Sequence, residues 1–193
     1  MPPSIPISVY LVGLFIASVI RAQYTRHFSR DQRRLVTKNP IDIILTILAG
    51  IGMFITPLFY IFTDWFAAFD YRLPGWLNII GIIGYGVSIW ILWRSHADLR
   101  RNWTPVIQPS KNAELVTDGI YQFIRHPMYA AHLLWALSQP LLLENIIAGW
   151  SFLVFSIGLY IYRIPREQTL LQKKFGDAYS TYLRTTGCLW PRF

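Results

Sequence analysis

Long apolar runs separated by short charged segments constrain this chain more than any other feature of its sequence. Residues 5–20 and 43–62 contain no charged side chain. As a helix rising ~1.5 Å per residue, the second run is long enough to cross a hydrocarbon core ~30 Å thick. Apolar residues make up 53% of the chain and charged residues only 15%. The sequence therefore predicts an all-α, polytopic membrane protein.

The hydropathy pattern predicts about five transmembrane helices. They are expected at residues 5–20, 43–62, 76–93, 128–143 and 146–162. Pro57 is expected to kink the second helix. Glu144 and Asn145 are expected to form a tight hairpin between the last two. Positive charges follow the first run rather than precede it, so we interpret that run as a spanning helix and not as a signal peptide.

Basic residues gather in three segments, residues 21–38, 94–125 and 163–193. Five spans place all three segments on one side of the membrane. By the positive-inside rule that side is cytoplasmic, so the N-terminus is expected outside and the C-terminus inside. Residues 167–183 are expected to form one or two helices at the inner membrane face. The membrane would be the cell membrane of a prokaryote or the endoplasmic reticulum of a eukaryote.

The length of 193 residues favours a single domain, residues 1–193. A net charge of +8 could suggest nucleic-acid binding. However, the basic residues lie beside apolar segments, as topology signals do, and no groove-reading or base-stacking architecture is evident. Cys188 is the only cysteine, and no Cys/His cluster has the spacing of metal ligands. We therefore expect no nucleic-acid partner, no internal disulfide and no metal.

A polar segment at residues 119–129 meets an apolar run that begins at Met128. Pro127 suits the first turn of a helix, where a missing N–H leaves no hydrogen bond unmade. Arg125 and His126 are therefore predicted at the mouth of a membrane helix, with their polar tips near the headgroup level. A charged pair in that position is either a membrane anchor or part of a site.

Arg163 and Glu167 lie four residues apart, on one face of a predicted helix. Each polar group also has a purely structural interpretation. Arg163 and Glu167 could form a helix salt bridge beside a topology anchor, and Tyr121 and Tyr129 could belong to an aromatic belt. The recurrence of Arg, His, Tyr and Glu on one membrane face, around a long polar loop, favours a site.

The order of these motifs resembles the isoprenylcysteine carboxyl methyltransferase family. The resemblance covers about residues 94–193, and the five-span layout agrees with the short prokaryotic members. Arg-His-Pro-x-Tyr by itself is less specific, because phospholipid N-methyltransferases share it. The matching residues are Asn102-Trp103, Gln108, Leu115-Val116, Gly119-x-Tyr121-x3-Arg125-His126-Pro127-x-Tyr129, Arg163-x3-Glu167, Phe175-Gly176-x2-Tyr179-x2-Tyr182 and Pro191.

The resemblance implies an S-adenosylmethionine-dependent methyltransferase that releases S-adenosylhomocysteine. Its cofactor-binding part would be about residues 94–193, with the C-terminal helical segment completing the site. Arg163 would be catalytic and would bind the substrate carboxylate, and Arg125, also catalytic, would support the same polar centre. The cofactor pocket would be lined by Gln108, Ala113, Glu114, Leu115, Val116, Tyr121, His126, Pro127, Met128, Tyr129 and Glu167.

Two positions depart from the family pattern. Glu167-Gln168 stands where many members have two glutamates, so one acidic contact is missing. Leu99-Arg100 stands where Leu-Gly is common, which affects the bend before Asn102. Neither departure removes a residue that the resemblance makes essential.

The implied acceptor is the carboxylate of an isoprenylated cysteine or a similar lipidic acid, which would reach the site from the bilayer. Three alternatives stay open. A phospholipid N-methyltransferase acting on a lipid amine such as phosphatidylethanolamine would share the donor site, but Arg163 would repel an ammonium group. A membrane NADPH-dependent reductase would share part of the helical scaffold. A non-catalytic membrane scaffold would explain the spans but not the ordered motifs.

Overall fold

The structure, a computed structural model, describes residues 4–26, 39–99 and 114–192. The predicted all-α architecture is confirmed, since the regular elements of these residues are helices. A π-helical segment, Ile51–Ile55, joins the helices Pro40–Gly50 and Thr56–Phe62, and 3-10 turns lie at Ala67–Phe69 and Gly119–Gln122. The helices are α1 (Ile5–Arg26), α2 (Pro40–Gly50), α3 (Thr56–Phe62), α4 (Gly75–Leu99), α5 (Pro127–Leu143), α6 (Ile146–Phe175) and α7 (Asp177–Thr185).

Four helical stretches in the described part of the chain are long and apolar enough to cross a membrane: Ile5–Thr25, Pro40–Phe62, Gly75–Leu99 and Ile146–Phe175. The fifth predicted span is α5. It has 17 residues, so it is about 25 Å long at the usual helical rise. It lies in the centre of the bundle, where Trp135 and Gln139 are almost completely buried. A helix covered by its neighbours need not span the hydrocarbon core itself.

Contacts between the helices fix their directions. Tyr10 stacks on Tyr85 and Tyr24 packs on His96, so α1 and α4 run parallel. The Asn78 amide donates to the Leu141 carbonyl across 2.9 Å, so α5 runs the opposite way and returns beside α4. We call the end where α1 and α4 finish and α2 and α5 begin the basic end. Arg163 of α6 lies at the same end.

Aromatic rings form the centre of the bundle. The Tyr10 and Tyr85 rings stack with their centroids 5.4 Å apart, and Trp135 meets the Tyr85 ring edge-on at 4.9 Å. Offset stacking and edge-to-face contacts are the favourable arrangements for such rings. Because each ring comes from a different helix, the cluster joins α1, α4 and α5.

The predicted kink at Pro57 takes the form of the π-helical segment just before it. Pro57 has no N–H to offer the carbonyl of Met53, and the Tyr10 hydroxyl donates to that carbonyl instead, across 2.8 Å. The neighbouring Gly52 carbonyl accepts from the Gln139 amide at 3.2 Å and the Ser151 hydroxyl at 2.9 Å. Side chains of other helices thus replace backbone hydrogen bonds lost at the kink, which membrane-embedded helices require.

A tight turn joins α5 to α6, as predicted. Glu144 has a left-handed backbone at φ 48°, and Asn145 caps α6 by accepting from the Ala148 N–H at 2.9 Å. The buried Asn145 amide also donates to the Asp70 carboxylate at 2.7 Å. These contacts fasten the hairpin to the connection between α3 and α4, at the end of the bundle opposite the basic end.

The C-terminal helices differ from the prediction in where they begin. Residues 167–183 were expected to be separate from the last span, but α6 continues to Phe175 without a break. The helix passes through Pro165 and ends at Gly176, whose φ is +54°. Since a positive φ stops a helix and suits glycine, Gly176 separates α6 from α7. The long α6 therefore carries both Arg163 and Glu167.

We predict that Gly52→Ala destabilises the protein, whereas Gly86→Ala does not. An added Cβ at Gly52 would lie 2.5 Å from the Ser151 carbonyl oxygen, while one at Gly86 meets no atom within 4 Å. Overpacking of this kind costs about 1–3 kcal/mol. Thermal unfolding in detergent should show a midpoint several degrees lower for Gly52→Ala alone. Equal midpoints for the two variants would contradict the close packing of the π-helical segment on α6.

Candidate active site

The predicted Gly-x-Tyr motif forms a turn against the end of α4. Gly119 has a φ of +60°, and an added Cβ there would lie 2.3 Å from the Asp98 carboxylate. The Asp98 carboxylate accepts from the Ile120 N–H at 2.9 Å and pairs with Arg94 at 2.8 Å. Both the backbone conformation and the close approach therefore require glycine at position 119.

Tyr121 follows this turn and is buried, with 7% of its surface exposed. Its hydroxyl donates to the Ser95 carbonyl at 3.3 Å, and its own carbonyl accepts from the Tyr182 hydroxyl at 2.5 Å. Burial raises the pKa of Tyr121, so its hydroxyl stays neutral. The structure thus places the hydroxyl of this predicted cofactor-binding residue against α4. Through these two hydrogen bonds, Tyr121 connects the turn at Gly119 to α4 and α7.

The C-terminal segment docks on the polar loop through backbone hydrogen bonds. The Arg125 N–H donates to the Gly187 carbonyl at 2.8 Å, and the His126 N–H donates to the Cys188 carbonyl at 3.1 Å. In return, the Gly187 N–H donates to the Phe123 carbonyl at 3.2 Å. The last residues of the chain therefore fix the backbone that leads into α5.

The Arg125 side chain contacts the C-terminal end of α7. Its Nη1 donates to the carbonyls of Leu183, at 3.1 Å, and Thr186. These are carbonyls at the C-terminal end of α7, where a cation is favourable. Arg125 therefore anchors α7 to the loop, and the supporting catalytic role that the resemblance implies for it stays a prediction.

His126, Tyr129 and Glu167 form a compact group, which we call the Glu167 cluster. The Tyr129 hydroxyl donates to Glu167 Oε1 at 2.5 Å, and His126 Nδ1 lies 3.4 Å from Glu167 Oε2. On the other side of the buried ring, His126 Nε2 lies 3.4 Å from the Gln168 amide nitrogen. The sequence neighbours Glu167 and Gln168 thus hold opposite edges of one imidazole.

Arg163 lies one helical turn before Glu167 but does not use it as its main partner. Its Nε donates to Asp42 Oδ1 at 2.6 Å and its Nη2 to Asp42 Oδ2 at 2.9 Å. Nη2 also donates to the Thr46 hydroxyl at 2.9 Å. Arg163 nevertheless interacts electrostatically with Tyr129 and Glu167. Instead of the i, i+4 salt bridge with Glu167, the main contact of Arg163 is therefore an ion pair with Asp42, which joins α6 to α2.

The remaining predicted site residues lie around this centre. Pro127 is buried in the first turn of α5 and Met128 follows it half-buried. Leu115 and Val116 are half-buried and Glu114 is exposed, in a stretch without regular secondary structure that leads to Gly119. Five residues of the predicted cofactor loop lie outside the described residues: Arg100, Asn102, Trp103, Gln108 and Ala113.

Two residues at this centre were missed by the sequence analysis, Asp42 and Thr46. Both lie in the first turns of α2, inside the span Pro40–Phe62. A signal for one of them existed, because an ionisable residue at the edge of an otherwise apolar span marks a functional or paired position. Its partner could not be identified, since 121 residues separate Asp42 from Arg163.

We predict that Arg125→Gln loosens the C-terminal segment. A hydrogen bond to a charged group contributes about 1.5–3 kcal/mol. Amide hydrogen exchange in residues 183–188, the segment that the Arg125 side chain contacts, should therefore become about tenfold faster or more. Hydrogen–deuterium exchange in detergent measures this. Arg166→Gln is the matched control, because that exposed guanidinium stacks on the Tyr162 ring at 3.6 Å. Equal exchange in both variants would overturn the anchoring role.

Comparison with known proteins shows what this chain is similar to. Residues 80–173 match the model of the isoprenylcysteine carboxyl methyltransferase (ICMT) family. Protein-S-isoprenylcysteine O-methyltransferase of Schizosaccharomyces pombe is 37% identical over 87 residues, which cover 42% of this chain and 36% of that protein. Protein-S-isoprenylcysteine O-methyltransferase B of Arabidopsis thaliana is 36% identical over 76 residues, 39% of each chain. The alignments thus span little more than a third of these relatives.

A solved structure shares the fold over almost the whole chain. It is that of the eukaryotic intramembrane Ras methyltransferase ICMT, which is similar with a TM-score of 0.53 and 21% sequence identity. The match covers 95% of this chain and 72% of that one. At this identity the likeness concerns the fold alone, that of an intramembrane helical enzyme. The resemblance predicted from the motifs is confirmed: this chain matches the isoprenylcysteine carboxyl methyltransferase family through residues 80–173.

Proposed function

We propose that this chain transfers a methyl group from S-adenosylmethionine to the carboxylate of an isoprenylated cysteine or similar lipidic acid, giving a methyl ester. The observation that carries the proposal is the placement of a cation and an anion one turn apart on α6. Arg163 suits an acidic acceptor, and Glu167 suits a positively charged donor. The matched relatives, which are protein-S-isoprenylcysteine O-methyltransferases, support the same reaction.

The Glu167 cluster fits the proposed cofactor. S-Adenosylmethionine, when bound, supplies an electrophilic methyl group on a positively charged sulfonium. Glu167 keeps its carboxylate oriented because Tyr129 donates to one oxygen and His126 lies 3.4 Å from the other. An oriented carboxylate binds a cationic group or the ribose hydroxyls of such a ligand. Around it, the cofactor would be held by Gln108, Ala113, Glu114, Leu115, Val116, Pro127 and Met128.

Arg163 is proposed to hold the acceptor carboxylate. A guanidinium has five N–H donors, and Asp42 and Thr46 take the three on Nε and Nη2. We propose that a substrate uses the two donors of Nη1, on a guanidinium that also interacts with the Tyr129 hydroxyl. No general base is needed, because a carboxylate with a pKa of ~4 is already ionised at neutral pH. Correct alignment alone can lower the barrier by ~7–11 kcal/mol.

Membrane orientation forms part of the proposal. By the positive-inside rule, the basic segments support a cytoplasmic position for the basic end of the bundle, with Arg163 and the Glu167 cluster. A polar cofactor would enter from the cytoplasm, and the isoprenoid tail of the acceptor would lie between the helices and the lipid. The N-terminus would then be outside and the C-terminus cytoplasmic.

Purified protein and radiolabelled S-adenosylmethionine test the proposal directly. N-Acetyl-farnesylcysteine and phosphatidylethanolamine are offered together as acceptors. The expected result is label in a base-labile methyl ester of the cysteine derivative. Label in the amine headgroup would instead make the chain a phospholipid N-methyltransferase, and the absence of label from both acceptors would contradict a methyltransferase for these lipids.

We predict that Glu167→Gln weakens cofactor binding without unfolding the protein. Glutamine can still accept from Tyr129 but has no charge, and a charge-assisted hydrogen bond contributes about 1.5–3 kcal/mol. The Kd for S-adenosylmethionine, measured by calorimetry, should therefore rise about tenfold or more. Asp177→Asn is the control, because it removes the same charge at an exposed position of α7. An unchanged Kd in Glu167→Gln would remove this residue from the donor site.

A further inference from the structure

The carboxylate that faces Arg163 in this structure belongs to the protein itself. Asp42 accepts from two adjacent nitrogens of the guanidinium, the arrangement in which arginine also binds carboxylate ligands. From this contact we infer that Asp42 is a positioning and specificity-determining residue for the acid acceptor. The inference rests on the proposed function, in which Arg163 holds the substrate carboxylate.

The contact between Asp42 and Arg163 is largely buried, and Thr46 supports it. Only 16% of the Asp42 side chain and 13% of the Arg163 side chain are exposed. Thr46 stands one turn after Asp42 and donates its hydroxyl hydrogen to the Asp42 backbone carbonyl at 2.6 Å. Its oxygen is then turned to accept from Arg163 Nη2 at 2.9 Å. Asp42 and Thr46 together fix the plane of the guanidinium as well as its position.

This arrangement decides which edge of Arg163 an acceptor can use. With Nε and Nη2 engaged by α2, an incoming carboxylate is left with the Nη1 donors of a guanidinium that also interacts with Tyr129. The pair of nitrogens that would bind the carboxylate in a bidentate way, Nε and Nη2, already donates to Asp42 and Thr46. A looser grip on the acceptor is an advantage for catalysis, because holding the ground state more tightly than the transition state slows the chemical step.

Asp42 also changes the charge that the acceptor meets. An unpaired guanidinium in a partly buried position would attract any anion, including anionic lipids that carry no acceptor group. With Asp42 beside it, the pair has no net charge, and selection depends on hydrogen-bond geometry at Nη1. The same pairing allows a charged arginine to lie among apolar helices.

The test separates positioning from mere stabilisation. Binding of N-acetyl-farnesylcysteine without cofactor is measured by tryptophan fluorescence, and that of its uncharged carboxamide is measured alongside. The ratio of the two Kd values reports the contact with the carboxylate alone. Asp42→Asn should increase the preference for the acid about fivefold or more, because the amide keeps one acceptor, leaves one Arg163 donor free and no longer neutralises the guanidinium. With cofactor present, kcat should fall about tenfold while KM for the acid stays equal or falls.

A residue that only stabilised the fold would behave differently. It would lower the folded fraction and leave the acid-to-amide ratio unchanged, and that result would overturn the inference. Thr46→Val serves as a milder variant if Asp42→Asn does not fold. It keeps the ion pair but removes one contact of Nη2, so it should change the ratio and kcat in the same directions. Asp64→Asn, an exposed acid at the opposite end of the bundle, controls for the loss of one charge.

Arg163→Met makes the failure of the inference distinguishable from failure of the proposed function. If the native protein prefers the acid and Arg163→Met abolishes the preference, the acceptor site is confirmed, and Asp42→Asn then decides the inference alone. If Arg163→Met leaves the preference intact, Arg163 does not hold the acceptor, and both the carboxylate site and the role of Asp42 are refuted.

Discussion

The ion pair between Arg163 and Asp42 is the contact on which the candidate site depends. Charged groups inside an apolar helical bundle are stable only when they are paired and hydrogen-bonded. Here the pair also joins α6 to α2, two helices that are distant in sequence. Glu167 lies one turn further along α6 and has its own partners in Tyr129 and His126. The opposite charges of Arg163 and Glu167 are thus kept one turn apart, each with partners of its own, as the proposed methyl donor and acid acceptor would require.

The rest of the bundle provides rigidity where the site requires it. The short helix α5 carries Tyr129 at its basic end and Trp135 and Gln139 in its buried middle. Gln139 donates to the Gly52 carbonyl of the π-helical segment and to the Ala148 carbonyl of α6. The kink at Pro57 therefore does not leave the backbone unsatisfied, and it lets α2 lie close against α6. Close packing there places Asp42 within reach of Arg163.

The C-terminal segment contributes through the backbone rather than through chemistry. The carbonyls of Gly187 and Cys188 accept from the Arg125 and His126 N–H groups. These hydrogen bonds fix the backbone that carries the His126 imidazole. Arg125 adds to this by binding carbonyls at the end of α7. The residues of the Arg-His-Pro-x-Tyr motif thus make different contacts in the structure. Arg125 fastens the C-terminus, Pro127 starts α5, and His126 and Tyr129 orient Glu167.

The membrane class, the helical architecture, the hairpin at Glu144 and the resemblance to the methyltransferase family could all be predicted from the sequence. These follow from hydropathy, helix-terminating residues and the order of local motifs, all of which depend on near neighbours. The sequence also indicated that His126, Tyr129 and Glu167 belong together. The three-dimensional structure was needed to see that Arg163 pairs with Asp42, that Arg125 contacts α7, and that α5 lies in the centre of the bundle. The two arginine contacts join residues more than fifty positions apart, and hydropathy carries no information on which distant partners will meet.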